Sequence, residues 1–412
     1  MPLSGYRVLE LCSTIAGPAC TRLMADFGAE VIKVEPRDGD SVRGIGGQDH
    51  GVSLYGAAIL RNKESISVNI KTEEGRRIVH DLATRCDIVV ENFRPGTLER
   101  LGLDYATLSA ANPKLVLVRI SGYGQDGPYS AKAGYGAICE AFAGVRHMTG
   151  EPDRPPSRVA LATTDYLTSV YAAFGAMVAL LNAKETGKGQ VVDAALYEAA
   201  FSMMESVVPT YDRLGTVPSR QGSKLPGTAP NNLYLTADDT YVLIAANNNA
   251  VFHRLAQAMG QEELITDPRF LNIRDRSEND DALDQEVAKW ARTVDSETAI
   301  GLLEDAGVPA SRVNTVADIF TDEHFAARDM LVPVPHPDLG SVTVAGVVPK
   351  LSDTPGEIRH LGHRIGQDTF GVLERLLGLT ASEVQDLAAR QIIFQSPYSG
   401  AQEPAVRHAA KV

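Results

Sequence analysis

Short apolar runs bounded by turn residues alternate with helical patterns over the first 120 residues. YRVLELC (6–12), EVIKVE (30–35), DIVVENF (87–93) and KLVLVRIS (114–121) are rich in Val, Ile and Leu, the pattern of strands buried on both faces of a parallel sheet. ACTRLMADFG predicts a helix ending at Gly28, and a further helix falls near 73–86. This alternation predicts an α/β fold with a doubly wound, Rossmann-like sheet and ligands at the carboxyl ends of its strands.

The stretch 121–136, SGYGQDGPYSAKAGYG, is dense in turn residues and reads as a loop. After Thr164 the pattern becomes helical, with Val170, Tyr171, Phe174, Met177, Val178 and Leu181 forming an apolar stripe. A second helix is expected near 193–208. The Pro- and Gly-rich segment near 215–231 reads as a linker or loop, followed by the hairpin pattern NLYLTADDTYVLIAA. The three asparagines at 247–249 can cap the next helix, and further helices fill 281–306. MLVPVPHPDLGSVTVAGVV returns to strands, and a helix near 366–377 closes the fold. The domain reading is a large Rossmann-like domain at 1–215, a smaller α/β domain at 225–325, a return segment at 330–395 packing on the large domain, and a loose tail at 396–412.

With 412 residues the chain is too long for one core, and 44% hydrophobic residues suffice to fold without staples. A net charge of -13 argues against a nucleic-acid partner. Cys12, Cys20, Cys86 and Cys139 are scattered, so they read as small buried residues in a reducing compartment rather than as disulfides or a zinc site. The first residues lack a signal-peptide pattern. The longest apolar run, VYAAFGAMVALL, is about twelve residues against the ~20 a bilayer requires, so no membrane association and a cytoplasmic location are expected.

Asp165 stands in VALATTDYLTSV at the start of the long helix. One reading makes Thr163 and Thr164 the cap and Asp165 a first-turn acid facing the helix dipole. The other makes it a reacting carboxylate held ionised by the same backbone amides. The first strand's turn, CSTIAGPAC, lacks a dinucleotide fingerprint, and SGYGQDGP lacks the lysine of a phosphate loop. Arg37, Arg94 and Arg100 fall near strand ends, where a guanidinium suits a phosphate; solvated surface charge is the alternative. Asn92 and Phe93 can hydrogen-bond to and stack on a purine. His360 and His363 form an HxxH pair without a third ligand, so no metal is expected. Trp290 reads as core.

In order, GYRVLELCSTIAGPACTRLMADFGAEVIKVE, NKESISVNIKTEEG, ENFRPGTLERLGLDY, GYGQDGP and ATTDY resemble the successive motifs of the class III CoA-transferase family, over about residues 4–393. That resemblance implies a catalytic aspartate at Asp165, with coenzyme A, as acyl-CoA, meeting Ala16, Arg37, Val68, Asn92, Phe93, Arg100 and Tyr135. A lysine of some members is replaced by Ala133, with Lys132 one residue off, and the glutamate of formyl-CoA transferases by Gly136. Where those enzymes carry a run of glycines over the site, this chain has QGSKLPGTAP (221–230), read as a lid. The family fold implies an interlocked homodimer, and the family chemistry moves CoA from a donor such as succinyl-CoA to a small carboxylic acid. The alternative within the family is an α-methylacyl-CoA racemase. Its histidine is replaced here by Tyr135, and a phenol is a poor proton shuttle beside an imidazole.

Overall fold

The structure is a computed structural model describing residues 1–396. Six strands run parallel: β1 (Arg7–Leu11), β2 (Glu30–Glu35), β3 (Lys63–Val68), β4 (Ile88–Glu91), β5 (Val116–Ser121) and β6 (Val191–Ala195). Their spatial order is 3-2-1-4-5-6, the doubly wound arrangement, so the order reverses between β1 and β4. Period-2 alternation sends successive apolar residues to opposite faces. Leu9, Ile32, Val89 and Leu117 join Ile78 and Leu82 of helix α1 (Glu73–Ala83) in one core layer. Val8, Val31, Val90 and Val118 form the other layer, with Met24 of the helix Ala16–Asp26 that follows β1.

Two of these six strands escaped the sequence pattern. In KESISV the polar residues Lys63, Ser65 and Ser67 are all buried, so polarity there does not mark an outward face. VVDAA is β6 rather than the approach to a helix, and the helix that follows is Leu196–Phe201.

The long helix α2 runs from Thr163 to Thr186, 24 residues. Its apolar stripe does not face the core. Val170, Tyr171, Phe174, Val178 and Leu181 are exposed, while Ala172, Ala176, Ala179 and Ala183 are buried against the sheet and the helix after β1. Small residues let the backbones approach closely, so the alanine face is the one that packs. Counting its interspersed polar residues, α2 is long and apolar enough to cross a bilayer by length and composition, its most apolar 18-residue stretch having a mean hydropathy of 1.4.

By internal contacts the chain divides into two units. The first holds Met1–Ala143, Val159–Glu205 and the described residues from Asp329 onward. Its strands Leu331–His336 and Gly340–Ala345 pair as a hairpin, and Ile393–Phe394 adds an antiparallel edge beside β3. The second unit, Gly144–Arg158 and Ser206–Arg328, takes in 144–158 and 206–215, which the sequence reading grouped with the large domain. It contains a three-stranded sheet, with Asn231–Leu235 antiparallel to Tyr241–Ala245, and a core that includes Trp290. Asn248 caps the next helix by accepting from the Val251 amide. Within this unit Lys224, in the 221–230 loop, reaches Asp280 at 3.0 Å and Asp284 at 3.3 Å. The expected loose tail, beyond residue 396, lies outside the described residues.

Candidate active site

A cavity of about 220 Å³ opens at the carboxyl ends of β1 and β4, where the strand order reverses. Of the residues singled out in the sequence, Ala16, Asn92, Phe93, Arg94, Tyr135 and Asp165 line it. Arg37, Val68 and Arg100 do not. Arg37 lies exposed after β2, its guanidinium carbon 4.8 Å from the ring centroid of Phe394. Val68 is buried at the carboxyl end of β3 beside Ile393, and Arg100 is exposed, donating to Thr97 Oγ1 at 2.8 Å.

The geometry begins with the turn after β1. Asn92, just past β4, grips it with both ends of its amide: Oδ1 accepts from Ser13 N at 2.9 Å and Nδ2 donates to Ser13 O at 2.8 Å. Ser169, one turn along α2 from Asp165, has its hydroxyl 2.7 Å from both Ala16 O and Asp165 O. The single hydroxyl proton serves one of them at a time. The turn and the start of α2 are thereby tied together.

Asp165 is the third residue of α2 and is partly buried. The helix begins at the expected cap rather than after it: Ala162 holds the cap position without a side-chain bond, and Thr163 and Thr164 are already helical. Thr164 is buried and its carbonyl accepts from Thr168 Oγ1 at 2.7 Å. Threonine capping therefore does not account for this terminus. The Asp165 carboxylate instead occupies the space left by the missing side chain of Gly136, where a Cβ would stand 2.1 Å from Oδ2. Burial, and then the charge of Asp165, push the Cys139 thiol up to about 11. Tyr55 is likewise raised, by burial, by its hydrogen bond with Tyr166 and by the Asp165 charge, so these neighbours stay protonated near neutrality.

The sequence reading missed Ser13, Thr14 and Gly134 as lining residues, and it left Lys132 beside Ala133 as an off-register lysine. Both Lys132 and Ala133 line the cavity, and the Lys132 ammonium stands 3.4 Å from the ring centroid of Tyr129. Sequence spacing hides this because the 121–136 stretch has no period to set side-chain direction. His360 and His363 stack at 4.0 Å between ring centroids, and among the described residues no group of three His, Cys, Asp or Glu side chains could hold a metal ion.

Comparison with known proteins bears on the chemistry. The sequence profile of CoA-transferase family III matches residues 3–369. A succinyl-CoA–D-citramalate CoA-transferase of Chloroflexus aurantiacus is 45% identical over 95% of this chain and 98% of its own. A succinyl-CoA:mesaconate CoA-transferase of Haloarcula hispanica is 36% identical over 85% of this chain and 90% of its own. The crystal structure of a CAIB/BAIF family protein from Brucella suis superposes with a TM-score of 0.81 at 33% identity, covering 91% of this chain and 99% of that one. These relatives favour transfer over α-proton chemistry, in keeping with a tyrosine at 135. The chain belongs to CoA-transferase family III and is an enzyme that moves CoA from an acyl-CoA to a carboxylic acid.

Proposed function

We propose that Asp165 is the nucleophile and that the enzyme takes CoA from succinyl-CoA and gives it to a small dicarboxylic or hydroxy-dicarboxylic acid. The observation carrying this is the placement of the Asp165 carboxylate in the cavity at the strand-order reversal, beside the turn that Asn92 grips. A carboxylate attacks the thioester carbonyl, the C–S bond breaks and CoA leaves as thiolate, leaving a mixed anhydride on Asp165. The thiolate then attacks the aspartyl carbon, the C–O bond breaks and succinate departs, so Asp165 carries CoA as a thioester. The acceptor carboxylate attacks that thioester and the thiolate leaves again. Its attack on the acceptor carbon of the second anhydride releases acceptor-CoA and restores the Asp165 carboxylate. Each step exchanges one activated acyl bond for another, which is why a carboxylate nucleophile suits the reaction.

For CoA itself, the reading places the thioester end near Ala16, Asn92, Phe93 and Tyr135, which line the cavity. Arg37 and Val68 stand at or just past the carboxyl ends of β2 and β3, and Arg100 follows β4, along the same edge of the sheet. A row of guanidinium groups there suits the phosphates, with the adenine toward Val68. The donor and acceptor classes follow from the names of the relatives, whose acceptors are citramalate and mesaconate.

The exposed stripe of α2 supports a homodimer, because a continuous run of large apolar side chains on a surface marks an interface. Four buried, unpaired thiols suit a reducing, cytoplasmic setting. The test is a panel of carboxylic acids incubated with succinyl-CoA, with products separated by chromatography. Formation of a new acyl-CoA with matching loss of succinyl-CoA supports the reading; hydrolysis alone, across the whole panel, counts against it.

A further inference from the structure

Beneath the cavity lies a chain of buried charges that the mechanism does not use. Glu10, Lys33, Lys63 and Asp40 are each at most 5% exposed. Lys63 Nζ meets Glu10 Oε2 at 2.8 Å, Lys33 Nζ meets Glu10 Oε1 at 2.7 Å, and the same Lys33 ammonium meets Asp40 Oδ2 at 2.7 Å. Buried ion pairs of this kind are a weak source of stability, since well-packed apolar residues do as well or better. Their far end suggests another use.

The other oxygen of Asp40, Oδ1, accepts from Thr14 N and from Val42 N, both at 2.9 Å. Lys33 Nζ also donates to Cys12 O at 2.9 Å. Thr14 has φ +70°, a left-handed conformation that a β-branched residue resists. Cys12 is thus held by Lys33, Ser13 by Asn92, Thr14 by Asp40 and Ala16 by Ser169. This strained turn carries the chain from β1 into the wall of the cavity that holds Asp165.

We propose that Asp40, oriented by Lys33 and the Glu10–Lys63 pair behind it, is a positioning residue: it holds Thr14 in its left-handed conformation and so fixes the turn that faces Asp165 and the acyl-CoA. The proposal rests on the CoA-transferase reading of the site. Asp40 touches no reacting atom; it acts through the Thr14 amide.

Three variants test it. Asp40→Ala removes the acceptor for Thr14 N, Asp40→Asn keeps an oxygen there without the charge, and Asp40→Ala with Thr14→Gly lets the turn adopt positive φ unaided. For Asp40→Ala a fall of about 50-fold in kcat/KM for the acyl-CoA is expected, of the order seen when a reacting geometry is displaced by ~1 Å. Asp40→Asn, whose amide NH2 faces the Lys33 ammonium, should fall between the parent and Asp40→Ala, and the double variant should regain about tenfold over Asp40→Ala without regaining Tm, because glycine adds freedom to the unfolded chain. Calorimetric binding of free CoA should rank the variants in the same order. If Asp40→Ala does not fold, Asp40→Ser, which shortens the acceptor, takes its place in both comparisons. Activity and CoA affinity that track Tm across all variants, with no gain from glycine at 14, would overturn the proposal. A parent enzyme without transfer activity would instead fault the functional reading, and CoA affinity alone would then decide the role of Asp40.

Discussion

The Asp165 carboxylate rests against Gly136, and a methyl group on that glycine would stand 2.1 Å from Oδ2. Gly136 opens a short helix with an ordinary backbone, so alanine there is acceptable to the chain and unacceptable to the carboxylate. Gly136→Ala should turn Asp165 away and lower kcat by about 100-fold, the scale of a ~1 Å misplacement. Steady-state kinetics beside a thermal melt checks this: Tm should hold or rise while kcat falls.

Asn92 satisfies two backbone groups of Ser13 at once. Asn92→Leu leaves both to solvent, so the turn loses its two-point hold at a cost of about 1 kcal/mol, the net worth of an ordinary hydrogen bond. The expected outcome is a KM for acyl-CoA raised by about tenfold and a lower Tm. Equal kinetics in wild-type and variant would show that the turn is held by its other contacts.

How much of this was legible in the sequence depended on where polar residues point. YRVLELC, EVIKVE, DIVVENF and KLVLVRIS are strands as their apolar runs predict, and the ligand edge follows from their order. KESISV was invisible because Lys63 pairs with Glu10 inside the fold, a contact from a different strand that no local period reports. On α2 the larger side chains drew the eye to the wrong face: alanines pack the core, and Phe174 and Leu181 face outward. Asp165 stands out in the sequence as a lone acid at a helix start, yet the space that receives it depends on Gly136, distant in sequence. The buried charges of EVIKVE and KESISV were the available signal for the Lys33 and Lys63 chain.

The outward stripe supplies a prediction about assembly. Phe174 is 68% exposed and Leu181 63%, so charge at these positions costs the isolated chain little. A Phe174→Glu, Leu181→Glu variant should keep its secondary structure and run as a monomer in light scattering, where the parent is expected to run as a dimer. A variant that remains dimeric would place the interface elsewhere.

Acid should act through His360. Burial first, and then the neighbouring His363, lower it from 6.5 to about 4. The folded state disfavours the protonated ring, so the stability tied to this residue is fully present above pH 6.5 and is lost as pH falls toward 4, by up to about 3 kcal/mol. His360→Phe, which keeps a ring against His363 and cannot titrate, should show a flatter Tm between those two pH values. An identical slope in both proteins would assign the acid sensitivity to other groups.

The central claim is that Asp165 becomes covalently acylated during turnover. The most direct measurement is mass spectrometry of the peptide spanning Asp165 after the enzyme is mixed with succinyl-CoA and quenched with hydroxylamine. The account predicts a hydroxamate at Asp165 in the wild-type protein and none in Asp165→Asn, which should also be inactive. Unmodified Asp165 under conditions of full turnover, or an Asp165→Asn enzyme that still exchanges CoA between acids, would contradict it.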